Sequence, residues 1–211
     1  MKITRRFHSC VEIREGNTTV IIDPGSFGAP ENLADADAIL ITHIHPDHVD
    51  VDAVRAARAH NPALQIYGPA ALGDNLELEH TTVAHGEKFA IGDIDVEVHE
   101  SAHATIIRSI ELPQNVGYVF NGRIFHPGDS FPDRPGMELV CVPISAPWMR
   151  MLNVDDYLAA NRPESFIGVH DGIDNDNGRG VRTNLLRTLA KDHDTRYLEL
   201  APDESHELAA R

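Results

Sequence analysis

The chain has 211 residues, 42% of them hydrophobic and 24% charged, which allows a substantial core and one domain over 1–211. Its formal net charge of −15, with no basic run, sets it against nucleic acid and anionic membrane surfaces. No apolar run approaches membrane-spanning length, the first residues lack the apolar core of a signal peptide, and Cys10 and Cys141 form no C-x-x-C pair, so a cytoplasmic protein with two buried free thiols is expected.

In chain order, residues 3–13 predict a first strand. Gly16-Asn17 is a turn signal, and 18–22 predict the returning strand of a hairpin, ended by Asp23-Pro24-Gly25. Residues 26–35, with Gly28 and Pro30, predict a loop. Ala38-Ile39-Leu40-Ile41 predicts a fully buried strand, and a helix starts near Asp50 and ends around Asn61-Pro62.

Between that strand and that helix lies Thr42-His43-Ile44-His45-Pro46-Asp47-His48. It holds three imidazoles and a carboxylate at the carboxyl end of a strand, where open α/β sheets place their sites. In extended chain, residues i and i+2 point the same way, and Pro46 keeps His45 extended. His43 and His45 then face one metal ion, while Asp47 and His48, beyond the turn, suit a second. The donor set favours zinc over manganese or iron.

The stretch resembles the signature of the metallo-β-lactamase superfamily of hydrolases. The resemblance implies that Asp23, at the end of its strand, sits behind the histidine loop and hydrogen-bonds it, as carboxylates behind metal-binding imidazoles do.

Further along, 65–67 predict a strand, 69–76 a small helix, and 81–83, 88–91 and 93–99 strands separated at Gly86 and Gly92. Ile94, Val96 and Val98 alternate with Asp95, Glu97 and His99, the period of a half-buried strand. Ser101-Ala102-His103-Ala104 follows, and the resemblance assigns His103, rather than His99, as the third metal histidine. Residues 115–120 and 123–126 predict a hairpin leading into His126-Pro127-Gly128-Asp129-Ser130. By resemblance Asp129 bridges the two metals, with His126 a supporting residue and not a ligand. Residues 138–144 predict a buried strand. The apolar loop 145–151 carries the only tryptophan, Trp148, as a substrate wall or as ordinary packing. Asn153 is the expected cap of the next helix, with Asp155 and Asp156 in its first turn and Pro163 beyond its end. Residues 165–172 read strand, histidine, turn, and resemble the family's last metal histidine, His170. An exposed loop over 174–180, an amphipathic helix over 181–191, a strand over 195–200 and a polar tail complete the chain. His8, His60, His80, His85, His193 and His206 belong to no motif and are taken as surface or packing residues.

Pattern alone gives a mixed α and β domain. The resemblance implies a four-layer αββα sandwich, with two mixed β-sheets face to face and helices outside. Residues 9–13 and 21–24 further resemble the branch containing ascorbate-6-phosphate-lactonase-like hydrolases. The implied site holds one divalent ion on His43, His45 and His103 and another on Asp47, His48 and His170, with Asp129 between them. Two divalent ions carry about +4, and two carboxylates with a hydroxide remove about 3, which suits an anionic substrate or transition state. Water acidified by the ions supplies the nucleophile, and Asp47 is the nearest group to move its proton. The expected function is hydrolysis of a small ester, lactone or phosphoester. The alternatives are a nuclease or phosphodiesterase and a non-catalytic metal-binding domain. A bridging Asp129 argues against a true β-lactamase, and His45 against the di-iron members, which have Glu there.

Overall fold

Valine and isoleucine dominate the strand segments, because branched side chains fit a pleated, buried surface. The computed structural model describes residues 1–209. The first sheet is built from β1 (Lys2–Arg5), β2 (Val11–Glu15), β3 (Thr18–Ile22), β4 (Ala38–Leu40), β5 (Gln65–Gly68) and β6 (Thr81–Thr82). The second holds β7 (Lys88–Ile91), β8 (Ile94–Glu100), β9 (Val116–Phe120), β10 (Ile124–His126), β11 (Leu139–Pro143), β12 (Ser165–Val169) and β13 (Arg196–Tyr197). The last strand, β14 (Ser205–Glu207), returns to the first sheet and pairs antiparallel with β1. Strand order is β14-β1-β2-β3-β4-β5-β6 in one sheet and β13-β12-β11-β10-β9-β8-β7 in the other. Both are mixed: β1 to β3 run antiparallel and β3 to β6 parallel, while β7 to β10 run antiparallel and β10 to β13 parallel.

The period of two along each strand sorts its side chains between two cores. Val20, Ile22, Ala38 and Leu40 face inward and meet Val96, Phe120, Cys141 and Ile167 of the other sheet. Their neighbours Ile21 and Ile39 face outward against Val54 and Ala57 of α1 (Val51–His60) and Leu72 of α2 (Ala71–Leu76). On the far side, Val140, Val142 and Phe166 pack on Val154 and Leu158 of α3 (Met151–Asn161) and on Leu186 of α4 (Asp176–Asp192). The result is the expected αββα sandwich.

Five local expectations are corrected. The strand expected over 3–13 is two antiparallel strands joined by a turn, closed by Arg6 N–H to Cys10 O and Cys10 N–H to Phe7 O. His8 makes that turn by taking a left-handed conformation, φ 57°. Helix α3 begins two residues before Asn153, whose side chain instead reaches back to accept the N–H of Arg150 at 2.7 Å. Helix α4 starts inside the expected 174–180 loop, because Asn175 caps it by accepting the N–H of Gly178, and the cap outweighs the two glycines that follow. The polar tail forms β14, anchored by Leu208 in the inner core, while the strand over 195–200 shortens to β13.

Candidate metal centre

The loops that follow β3, β4, β8, β10 and β12 converge at one edge of the sandwich, and each carries a functional group. Asp23 ends β3, His43 to His48 follow β4, His103 follows β8, Asp129 follows β10 and His170 follows β12. Gly128 turns the chain ahead of Asp129 at φ 64°, and a Cβ there would lie 2.3 Å from Asn115 Oδ1, so the loop closes only around glycine. Asn115 donates to the carbonyls of Ser101 and Pro127, tying the His103 and Asp129 loops together.

All seven expected ligands meet here, in two groups. One ligand atom from each of His43, His45, His103 and Asp129 lies within 4.8 Å of the other three. The same holds for His8, Asp47, His48 and His170. Asp129 touches both sets: Oδ2 is 3.6 Å from His103 Nε2 and 3.1 Å from His170 Nε2, and Oδ1 is 3.1 Å from His48 Nε2. His99, the competitor of His103, stays on β8 with Nδ1 on the Glu100 carbonyl. His126 bonds the Ser9 carbonyl at 2.9 Å and the amide of Gly128, outside both groups.

The hydrogen bonds behind the imidazoles decide which nitrogen faces the centre. His48 Nδ1 lies 2.7 Å from Asp23 Oδ2, His103 Nδ1 2.6 Å from Ala104 O, and His170 Nδ1 2.5 Å from Ser145 O. Each partner is an acceptor, so each Nδ1 carries the proton and donates outward. His43 does the same to Thr42 Oγ1 at 3.0 Å, because that hydroxyl has given its own proton to Asp23. Four rings therefore turn Nε2 inward, bare in His43 and His103 and facing Asp129 in His48 and His170. His43 Nε2 and His45 Nδ1 lie 3.0 Å apart, within hydrogen-bond distance.

Buried lone pairs that face each other are costly unless something positive lies between them. His103 Nε2, His170 Nε2 and Asp129 Oδ1 are buried and make no hydrogen bond. Burial keeps His43, His45 and His103 below the ordinary imidazole range, so they are neutral and free to ligate near pH 7. In the second group burial works the same way but is outweighed. Asp129 and Asp23 hold His48 well up, and Asp129 with Asp47 carries His170 up to about 9. Burial opposes ionisation of Asp47 and Asp129, yet the facing imidazoles hold both carboxyls far below their usual range. A cation in place of those protons satisfies the same carboxylates, so the donor set fits two divalent ions.

The outer layer matches the expectation for Asp23. Fully buried, it accepts from Thr42 N–H, Thr42 Oγ1 and His48 Nδ1, each at 2.7 Å. Of the seven expected ligands only His45 and Asp47 reach the surface, which marks the open side. Trp148 stands beside it, its ring 5.9 Å from His103 and 6.1 Å from His170, with Phe131 behind.

His8 was not expected here, and its reading as a surface or packing residue is corrected. It is 1% exposed, with Nε2 3.1 Å from Asp47 Oδ2 and its ring centroid 4.0 Å from that of His170. One sign of the turn was present in the sequence: Arg5 and Ser9 occupy phases where a continuous strand over 3–13 calls for apolar residues.

A family model described as the beta-lactamase superfamily domain matches residues 2–170. The chain belongs to the metallo-β-lactamase superfamily. Protein Rv0786c of Mycobacterium tuberculosis is 30% identical over 212 residues, covering 97% of this chain and 98% of that protein. A UPF0173 metal-dependent hydrolase of Geobacillus is 32% identical over 146 residues, 62% of this chain and 63% of its own. Among solved structures, the metallo-beta-lactamase fold protein YhfI of Bacillus subtilis superposes with a TM-score of 0.73 at 14% identity, covering 97% of this chain and 98% of that one. As a superfamily member the chain is a metal-dependent hydrolase, and the fold implies divalent metal ions. No helix among the described residues is long and apolar enough to cross a membrane.

Proposed function

We propose that the protein is a binuclear hydrolase of a small ester, lactone or phosphoester. The observation that carries this reading is the set of outward Nδ1–H bonds, which turn Nε2 of His48, His103 and His170 onto Asp129 and that of His43 towards His45. His43, His45 and His103 would hold one ion and Asp47, His48 and His170 the other, with the Asp129 carboxylate offsetting the charge of both. The imidazole and carboxylate donors suit zinc first, with manganese or iron next. When bound, two divalent ions acidify a water towards neutral pH and polarise the oxygen of the bond under attack.

The chain's own groups supply the rest. Ser145, Asp23, Ala104 and Thr42 fix the imidazoles so that their nitrogens need no reorganisation as charge develops. Asp47, 22% exposed, is the carboxylate at the open side. Trp148 walls one flank of that opening and orients the substrate. The net charge of −15 supports a small substrate over a polyanion. A purely structural metal site is closed on all sides, whereas His45 and Asp47 are reachable here. The protein is expected to act in the cytoplasm, without nucleic-acid or membrane partners.

The test is hydrolysis by metal-loaded protein across carboxylic esters, lactones, thioesters and phosphodiesters. Turnover of an ester, lactone or small phosphoester, abolished by chelation and restored by zinc or manganese, is the expected result. Two ions bound with no turnover in any class would favour the structural role and overturn the proposal.

A further inference from the structure

Position alone makes His8 look like a fourth ligand of the second ion, because one of its ring nitrogens lies with ligand atoms of Asp47, His48 and His170 within 4.8 Å. Its hydrogen bonds say otherwise. The backbone N–H of Gly172 points at His8 Nδ1 from 2.9 Å. A backbone amide only donates, so Nδ1 carries the lone pair. The proton of the neutral ring is then on Nε2, which faces Asp47 Oδ2 at 3.1 Å. This is the reverse of His43, His48, His103 and His170, each of which donates outward through Nδ1. A His8 that ligated through Nε2 would have to carry its proton on Nδ1, directly against the Gly172 N–H.

We infer that His8 is a positioning residue of this centre, donating Nε2–H to Asp47 and fixing that carboxylate for the second ion without binding the ion itself. The inference rests on the binuclear reading. A carboxylate oxygen has two lone pairs, so Oδ2 accepts from His8 and still faces His48 and His170. The turn between β1 and β2 is built for this. His8 takes φ 57°, its carbonyl accepts the His170 N–H at 3.0 Å, and its ring lies on Phe27 at 5.0 Å. Gly172 is part of the device, since a Cβ there would stand 2.8 Å from His8 Nδ1 and 3.0 Å from the Phe7 ring. The N-terminal turn and the His170 loop are thus clamped together at the one side of the centre that opens to solvent.

The ring's tautomer tests this directly. In zinc-loaded protein with nitrogen-15-labelled histidine, NMR is expected to show His8 protonated at Nε2 and bare at Nδ1, with His43, His48, His103 and His170 protonated at Nδ1. A His8 Nε2 with the shift of a metal-bound nitrogen would overturn the inference while leaving the binuclear centre intact. Zinc titrations of His8→Leu and Gly172→Ala give a second readout. His8→Leu is expected to weaken the second equivalent about ten- to hundredfold, with the first unchanged. Gly172→Ala, which displaces the ring without touching a ligand, moves in the same direction by less. His8→Gln, which returns an N–H donor, should regain part of the loss. Parent-like affinities in His8→Leu and Gly172→Ala would overturn the role of His8. A parent that binds no zinc would overturn the centre itself.

Discussion

Replacing Asp23 by Asn probes how the fold holds the centre. Asp23 is fully buried at φ 49°, a conformation that Asn also tolerates, so the substitution perturbs chemistry and leaves backbone strain unchanged. Its two oxygens serve three donors: Thr42 N–H on Oδ1, and Thr42 Oγ1 with His48 Nδ1 on Oδ2. An amide has one oxygen. Whichever way it lies, its NH2 group faces a buried donor, and one unsatisfied buried group costs about 1–3 kcal/mol. For a chain of this size that is a fall in melting temperature of roughly 2–12 °C. The loss of charge behind His48 weakens that ligand, at about ten- to hundredfold in affinity for the second ion. Melting in chelator and zinc titration of the same preparation separate the two effects. Parent-like melting and parent-like affinity for both equivalents would refute the argument that Asp23 organises the loop.

Four further outcomes follow from the same geometry. Asp129→Asn removes the charge between the two groups and should cut turnover by on the order of a hundredfold or more with circular dichroism unchanged; an equally active variant would refute the bridging role. His103→Ala should lower metal content and turnover together while His99→Ala spares both, measured by elemental analysis beside an activity assay. On acidification from pH 8 to 6 the ion on Asp47, His48 and His170 should leave before the other, because protons compete harder for imidazoles whose affinity for them is raised than for His43, His45 and His103, where burial lowers it. In metal-free protein the raised His170 stabilises the fold fully below its ordinary value of 6.5, and that contribution is lost as pH rises through about 9.

The sequence was legible where a local rule had one solution. The buried run before His43, Pro46 inside the motif and the cap at Asp50 place the histidine loop between β4 and α1. The alternation of Ile94, Val96 and Val98 separates His99, on the polar face, from His103 beyond the strand end. His8 was hidden because its turn uses no glycine, proline or Asn-Gly pair; the left-handed residue is the histidine itself, held there by the chain around His170. Helix α4 was misjudged because glycines at 178 and 180 outweigh the Asn175 cap in a local reading. The strand near the end of the chain depends on pairing with β1, some two hundred residues away, which no local pattern encodes. Nor does any pattern give the direction of a ring proton, since the partners of His103 and His170 are backbone carbonyls.

Two cations on two groups of side chains that share Asp129 would scatter anomalously at two separate places. Anomalous diffraction from crystals of the zinc-loaded protein, recorded at the zinc edge, tests this most directly. Two peaks per chain are expected, one among His43, His45 and His103 and one among Asp47, His48 and His170, with Asp129 between them. A single peak, or none, would contradict this arrangement.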